Sequence, residues 1–200
     1  MPQEKPQDKS GGRRAEAKDS LEAVNIMTSI FVRTALGVAM ALAASSTFAQ
    51  ESTNRVATKT DWSVFTENNP KECWGVSSPK ETVNSRNGQP VSVRRGDILL
   101  FVTFRPGSGA SGEVSFTGGY PFANGSTVKV EIDGQTYNLL ANGEWAWPAS
   151  AQDDSALLAA MKRGSTAILT AASGRGTQTK DTFSLRGFTA AMQEAEARCK

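Results

Sequence analysis

Histidine, the side chain that most readily moves protons near neutral pH, is absent from all 200 residues. That removes every Ser-His-Asp or Cys-His couple and every His-ligated metal. The two cysteines, Cys73 and Cys199, are too few for a structural zinc or iron–sulfur site. Carboxylates, arginines and four tryptophans remain as candidates. A glycosidase would need two carboxylates facing each other across a cleft, and Glu113, Glu131, Asp133, Glu144, Asp153, Asp154 and Asp181 are the candidates. Each falls on an expected solvent face, turn or helix start, where carboxylates are ordinary. No catalytic residue, metal ligand or cofactor site is assigned, and a carboxylate-dependent hydrolase is the least favoured alternative.

Gly107-Ser-Gly-Ala-Ser-Gly112 matches a dinucleotide fingerprint, G-x-G-x-x-G. Such a loop must open a helix whose N-terminus meets the pyrophosphate, whereas Glu113-Val-Ser-Phe reads as another strand. It is therefore expected to be a hairpin loop. Asn124-Gly-Ser126 has the glycosylation pattern and is assigned to a turn. Trp145 and Trp147 stand two apart on an expected strand and so share one face. Core packing is the first expectation for them, since large aromatics in small domains are mostly buried. The sharper alternative is a binding face made of Trp145, Trp147, Arg94 and Arg95. A balance of 22 basic against 20 acidic residues, formally +2, argues against a nucleic-acid partner.

The elements that must carry these residues are mostly strands. Ser126-Thr-Val-Lys-Val-Glu-Ile-Asp133 alternates strictly, Asp133-Gly134 has the chemistry of a type I′ turn, and Gln135–Ala141 returns. Pairing Ile132 with Gln135 puts Tyr137 and Leu139 on the face of Val130 and Val128. A second turn at Asn142-Gly143 leads to Glu144-Trp-Ala-Trp-Pro148, and strict pairing there sets the tryptophans opposite the face of Tyr137 and Leu139. Asp97–Arg105 is apolar on both faces and reads as a central strand. Glu113–Thr117, Asp61–Thr66, Glu72–Ser77, Ser165–Ala171 and Lys180–Leu185 complete about eight short strands, the spacing of a sandwich or barrel. Ser150 or Asp153 caps a helix over Ala151–Arg163 that Gly164 stops. A second helix, Gly187–Lys200, aligns Phe188, Ala191, Met192, Ala195 and Cys199 on one stripe toward the sheet. The fold class is mainly β, an antiparallel sandwich or barrel-like domain with two short helices, one C-terminal.

Before this domain lies an address. Met27–Ala49 has a short start carrying Arg33, an apolar run over Thr34–Ala44 and a small-residue stretch, the order of a signal peptide cut between Ala49 and Gln50. The run is about half the roughly 20 residues needed to cross a bilayer. Residues 1–26 read as a polar, unstructured extension, with translation starting at Met27 as the simplest account of it. The single mature domain is then 50–200, exported to the periplasm, the outer envelope or the medium, with no transmembrane helix. In an oxidising compartment two cysteines have only each other, so a Cys73–Cys199 disulfide is predicted; a pair of free thiols, one reactive, is the competing reading. Its long loop is worth about 5 kcal/mol in the chain-entropy model.

Asp61-Trp-Ser-Val-Phe65, Pro70-Lys-Glu-Cys-Trp-Gly-Val76, Ser126–Ile132 and above all Asp181-Thr-Phe-Ser-Leu-Arg-Gly-Phe-Thr-Ala-Ala191, followed by the late Cys199, resemble the invasion associated locus B family of exported bacterial proteins. The resemblance spans Asp61 to Cys199. It implies an envelope or secreted protein, without known catalytic residues, linked in some pathogens to host-cell entry. The expectation is thus a non-enzymatic module whose partner is a protein or envelope component. A periplasmic binder of carbohydrate or another small ligand is the alternative, and would need an exposed Trp145/Trp147 platform beside polar groups.

Overall fold

The computed structural model describes residues 54–200. The expected leader over 27–49, its cut between Ala49 and Gln50, and the polar stretch 1–26 lie outside the described residues. Turn chemistry sets the architecture. Asp133 (φ 47°) and Gly134 (φ 79°) take the positive angles of a type I′ turn, and the register that follows pairs Ile132 with Gln135, Val130 with Tyr137 and Val128 with Leu139. Asn87 and Gly88 make a second such turn.

The strands are β1 (Arg55–Lys59), β2 (Trp62–Asn68), β3 (Lys71–Ser77), β4 (Glu81–Arg86), β5 (Gln89–Pro90), β6 (Leu99–Arg105), β7 (Ala110–Thr117), β8 (Thr127–Ile132), β9 (Gln135–Asn142), β10 (Trp145–Trp147), β11 (Thr166–Ala172) and β12 (Gln178–Ser184). They form one antiparallel sheet in the order β1-β2-β3-β6-β7-β10-β9-β8-β11-β12-β4-β5. The sheet is open, not a closed barrel, and it has twelve strands where the sequence suggests about eight. It nevertheless folds back on itself. Phe116 on β7 meets Phe183 on β12 edge-on at 6.1 Å, although four strands separate them in the sheet. Trp62 Nε1–H donates to the Ser184 carbonyl at 3.0 Å, joining β2 to the end of β12. The two halves therefore enclose one core, which includes Val102, Phe116, Leu139, Leu169 and Phe183, all fully or almost fully buried.

α1 forms where its caps and charges require, and α2 where its apolar stripe does. α1 (Ala151–Arg163) starts at Ser150, whose hydroxyl accepts from Asp153 N–H, has Asp153 and Asp154 in its first turn, and ends before Gly164. α2 (Phe188–Arg198) buries Phe188, Ala191, Met192 and Ala195. Met192 lies over Gly75 on the inner side of β3, where no side chain intervenes. Gly187 sits at φ 85° and packs so tightly that a Cβ there would run into the Lys59 carbonyl oxygen. Cys73 on β3 and Cys199 after α2 form the disulfide, with Cα atoms 5.8 Å apart and 126 positions of chain between them. The C-terminus is thereby fixed to the interior of the sheet.

Candidate functional site

β10 is three residues long and needs one inward side chain, Ala146, which is fully buried. Alternation then forces Trp145 and Trp147 outward. The expectation that they pack in the core fails, because each is 42% exposed. The turn before β10 differs from the expected Asn142-Gly143 pair. Gly143 (φ 61°) takes the first central position, with Glu144 second, as in a type II′ turn, so Trp145 pairs with Asn142 and Trp147 with Leu140. The slip is two residues, which preserves parity. The tryptophans therefore stay on the face opposite Leu139, beside Leu140, itself 49% exposed.

This outer face is aromatic across several strands. Phe101 lies 5.7 Å from Trp145, and Phe65 stacks on Trp74 at 5.6 Å with nearly parallel rings. The small Ser115 on β7 leaves a shallow depression of about 410 Å³ between Trp74, Phe101 and Trp145. Charges rim it: Arg105 donates to Glu72 at 2.6 Å and also pairs with Glu113. A neighbouring depression holds Trp147, Glu113 and Asp154. Asp154 accepts the Val114 N–H at 2.7 Å and so straps the start of α1 to β7. Burial pushes its carboxyl above the ordinary range, against the pull of that hydrogen bond. Glu113 and Asp154 are thus the two acidic residues from the sequence candidates that share a depression, and each already has a structural partner.

Arg94 and Arg95 do not join the tryptophans. The Arg95 side chain is nearly buried and firmly held: its two terminal nitrogens donate to the Asp181 carboxylate at 2.7 and 2.6 Å, and Nε–H donates to the Gly118 carbonyl at 2.8 Å. Its guanidinium lies 5.1 Å from the Tyr120 ring centre. Asp181, expected on a solvent face, is 0% exposed. Burial lifts its carboxyl, opposed by Arg95. Arg94 is exposed, at the wall of a separate cleft of about 350 Å³ that also holds Arg86, Arg175, Tyr120 and Glu144. Tyr120 shares a 2.6 Å hydrogen bond with Thr179 Oγ1, and burial raises its hydroxyl pKa.

The four-residue face read from the sequence therefore resolves into an aromatic surface, a buried ion pair and a cationic cleft. Asp181 had a signal: it alternates with Thr179 and Phe183, and Phe183 fixes that side of β12 as the inner one. Arg86 and Arg175 had none, since one ends an edge-proximal strand and the other sits in the turn Ser173-Gly-Arg-Gly176. Among the described residues no three His, Cys, Asp or Glu side chains cluster as a metal site, and no helix is long and apolar enough to cross a membrane.

A family model described as invasion associated locus B (IalB) protein matches residues 62–196. The crystal structure of invasion associated protein B from Bartonella henselae superimposes with a TM-score of 0.50 at 16% identity, covering 70% of this chain and 95% of that one. That likeness concerns the fold. No curated protein sequence matches significantly.

Proposed function

Because the chain belongs to the invasion associated locus B family, we propose that it is an exported, non-enzymatic interaction protein that holds a protein partner of the envelope or host surface against its aromatic face. The observation that carries this reading is the pair Trp145 and Trp147, each 42% exposed on a strand whose inward residue is fully buried. Exposed tryptophans beside apolar neighbours are what interaction surfaces use as anchors, and charged rims such as Glu72 with Arg105 set orientation. The disulfide supports export, because such bonds persist in oxidising compartments. Entry into host cells is the role that the family name suggests for the partner.

The test is capture from envelope and host-cell fractions, identification of the bound protein, and measurement of its affinity in purified form. Trp145→Ser with Trp147→Ser should weaken that affinity by about a hundredfold or more, the loss expected of anchor residues, while the melting temperature holds. A large fall in melting temperature would make the tryptophans structural and defeat the proposal. The shallow depression beside Ser115 favours one rival, a carbohydrate stacked on Trp145. Binding of a neutral oligosaccharide, lost in the same variant, would replace the protein partner with that reading.

A further inference from the structure

Three arginines from three separate segments converge on the cleft beside Tyr120: Arg86 at the end of β4, Arg94 in the connection to β6, and Arg175 in the turn between β11 and β12. Among the described residues none of the three forms an ion pair with a carboxylate. The other basic wall residue, Arg95, is already neutralised by Asp181, and Glu144 is the one acidic side chain on the wall. The unneutralised charge facing the cleft is therefore close to +2. Arg86 is held in place, since its Nη2–H donates to Thr177 Oγ1 at 2.8 Å. The cleft volume of about 350 Å³ falls at the small end of ligand sites.

We propose that this cleft binds a phosphate monoester carried on a sugar-sized body. Planar guanidinium forks match phosphate oxygens, and a phosphate monoester carries about −1.5 to −2 at neutral pH, close to the excess of the walls. Half-buried Tyr120 and exposed Pro121, both on the wall, offer the organic body an apolar rest. Glu144 works against the ligand and sets its preferred charge. The site is independent of the tryptophan face.

The experiment is calorimetric titration of the purified protein, expressed as the full chain, with glucose 1-phosphate, glucose and inorganic phosphate, and flotation with phosphatidylcholine vesicles with or without phosphatidic acid. Glucose 1-phosphate should bind and glucose should not. Arg94→Gln and Arg175→Gln should each weaken binding about tenfold, the effect of one charge-assisted hydrogen bond. Glu144→Gln should tighten it, a gain that misfolding cannot mimic. Binding of the free sugar phosphate, tighter than that of inorganic phosphate, supports the site; binding confined to phosphatidic acid vesicles, or to inorganic phosphate with no gain from the sugar, overturns the proposed ligand. Absence of binding to every phosphate, or binding indifferent to all three substitutions, overturns it.

Discussion

Asp181→Leu should be among the most costly single substitutions in the domain. Asp181 is 0% exposed and accepts from both terminal nitrogens of Arg95, whose side chain is 6% exposed, so removing the carboxylate leaves a nearly buried guanidinium without its counter-charge. Breaking a buried pair from one side costs about 3–5 kcal/mol, a large share of the about 5–15 kcal/mol that holds a domain together. At this size that lowers the melting temperature by about 10 °C. Arg95→Met with Asp181→Leu should recover much of the loss, because two apolar side chains leave no uncompensated charge. Recovery stays incomplete, since Gly118 loses its donor. Arg95→Met alone strands the carboxylate instead. Burial already raises Asp181 above its unfolded value, so the folded state binds the proton more tightly; this variant should regain stability as pH falls through the carboxylate range and lose it as pH rises. Thermal and urea unfolding by circular dichroism, across pH, measure all three. The exposed pair Lys129–Glu131 is the reference, and Glu131→Gln should cost about 1 kcal/mol or less. If Asp181→Leu costs no more than Glu131→Gln, the pair is not the buried clamp described above.

Replacing Cys73 and Cys199 by serine together should cost about 2–5 kcal/mol, below or at the loop-entropy value for 126 positions, seen as a lower urea midpoint that reductant no longer shifts. Asp154→Asn keeps an acceptor for Val114 N–H and removes a carboxyl whose pKa burial raises. A raised acidic pKa takes stability away as pH climbs, so this variant should gain on the parent between about pH 3 and about pH 7 in urea unfolding. Gly187→Ala should destabilise by about 2 kcal/mol or more, since its Cβ meets the Lys59 carbonyl oxygen, whereas Gly176→Ala, at φ 78° in open space, should cost about 1 kcal/mol. Thermal melts of the two alanine variants give that difference.

Elements that turn on strong local chemistry were legible. The Asp133-Gly134 hairpin forms in its expected register, and α1 spans Ala151–Arg163 as its caps require. The α2 stripe and the Cys73–Cys199 pairing also follow their sequence signals. β1, β4 and β5 were missed, the last two despite Asn87-Gly88, because β4 has an exposed or half-buried pattern throughout and shows no alternation to read. The tryptophans defeated a size argument. Their burial was decided by β10 having one inward position, and that position is held by Ala146. Arg95 and Asp181 lie 86 positions apart, so no local pattern could pair them; the folding back of the sheet brings them together.

Among the described residues the sheet ends at β1 and at β5, and the margin at β5 is blunted by its own sequence. β5 is two residues long, and the second is Pro90, which has no amide hydrogen to offer a neighbouring chain. Strand-by-strand recruitment of further copies at that margin is therefore discouraged, and runaway fibre growth along the hydrogen-bonding direction has a built-in stop.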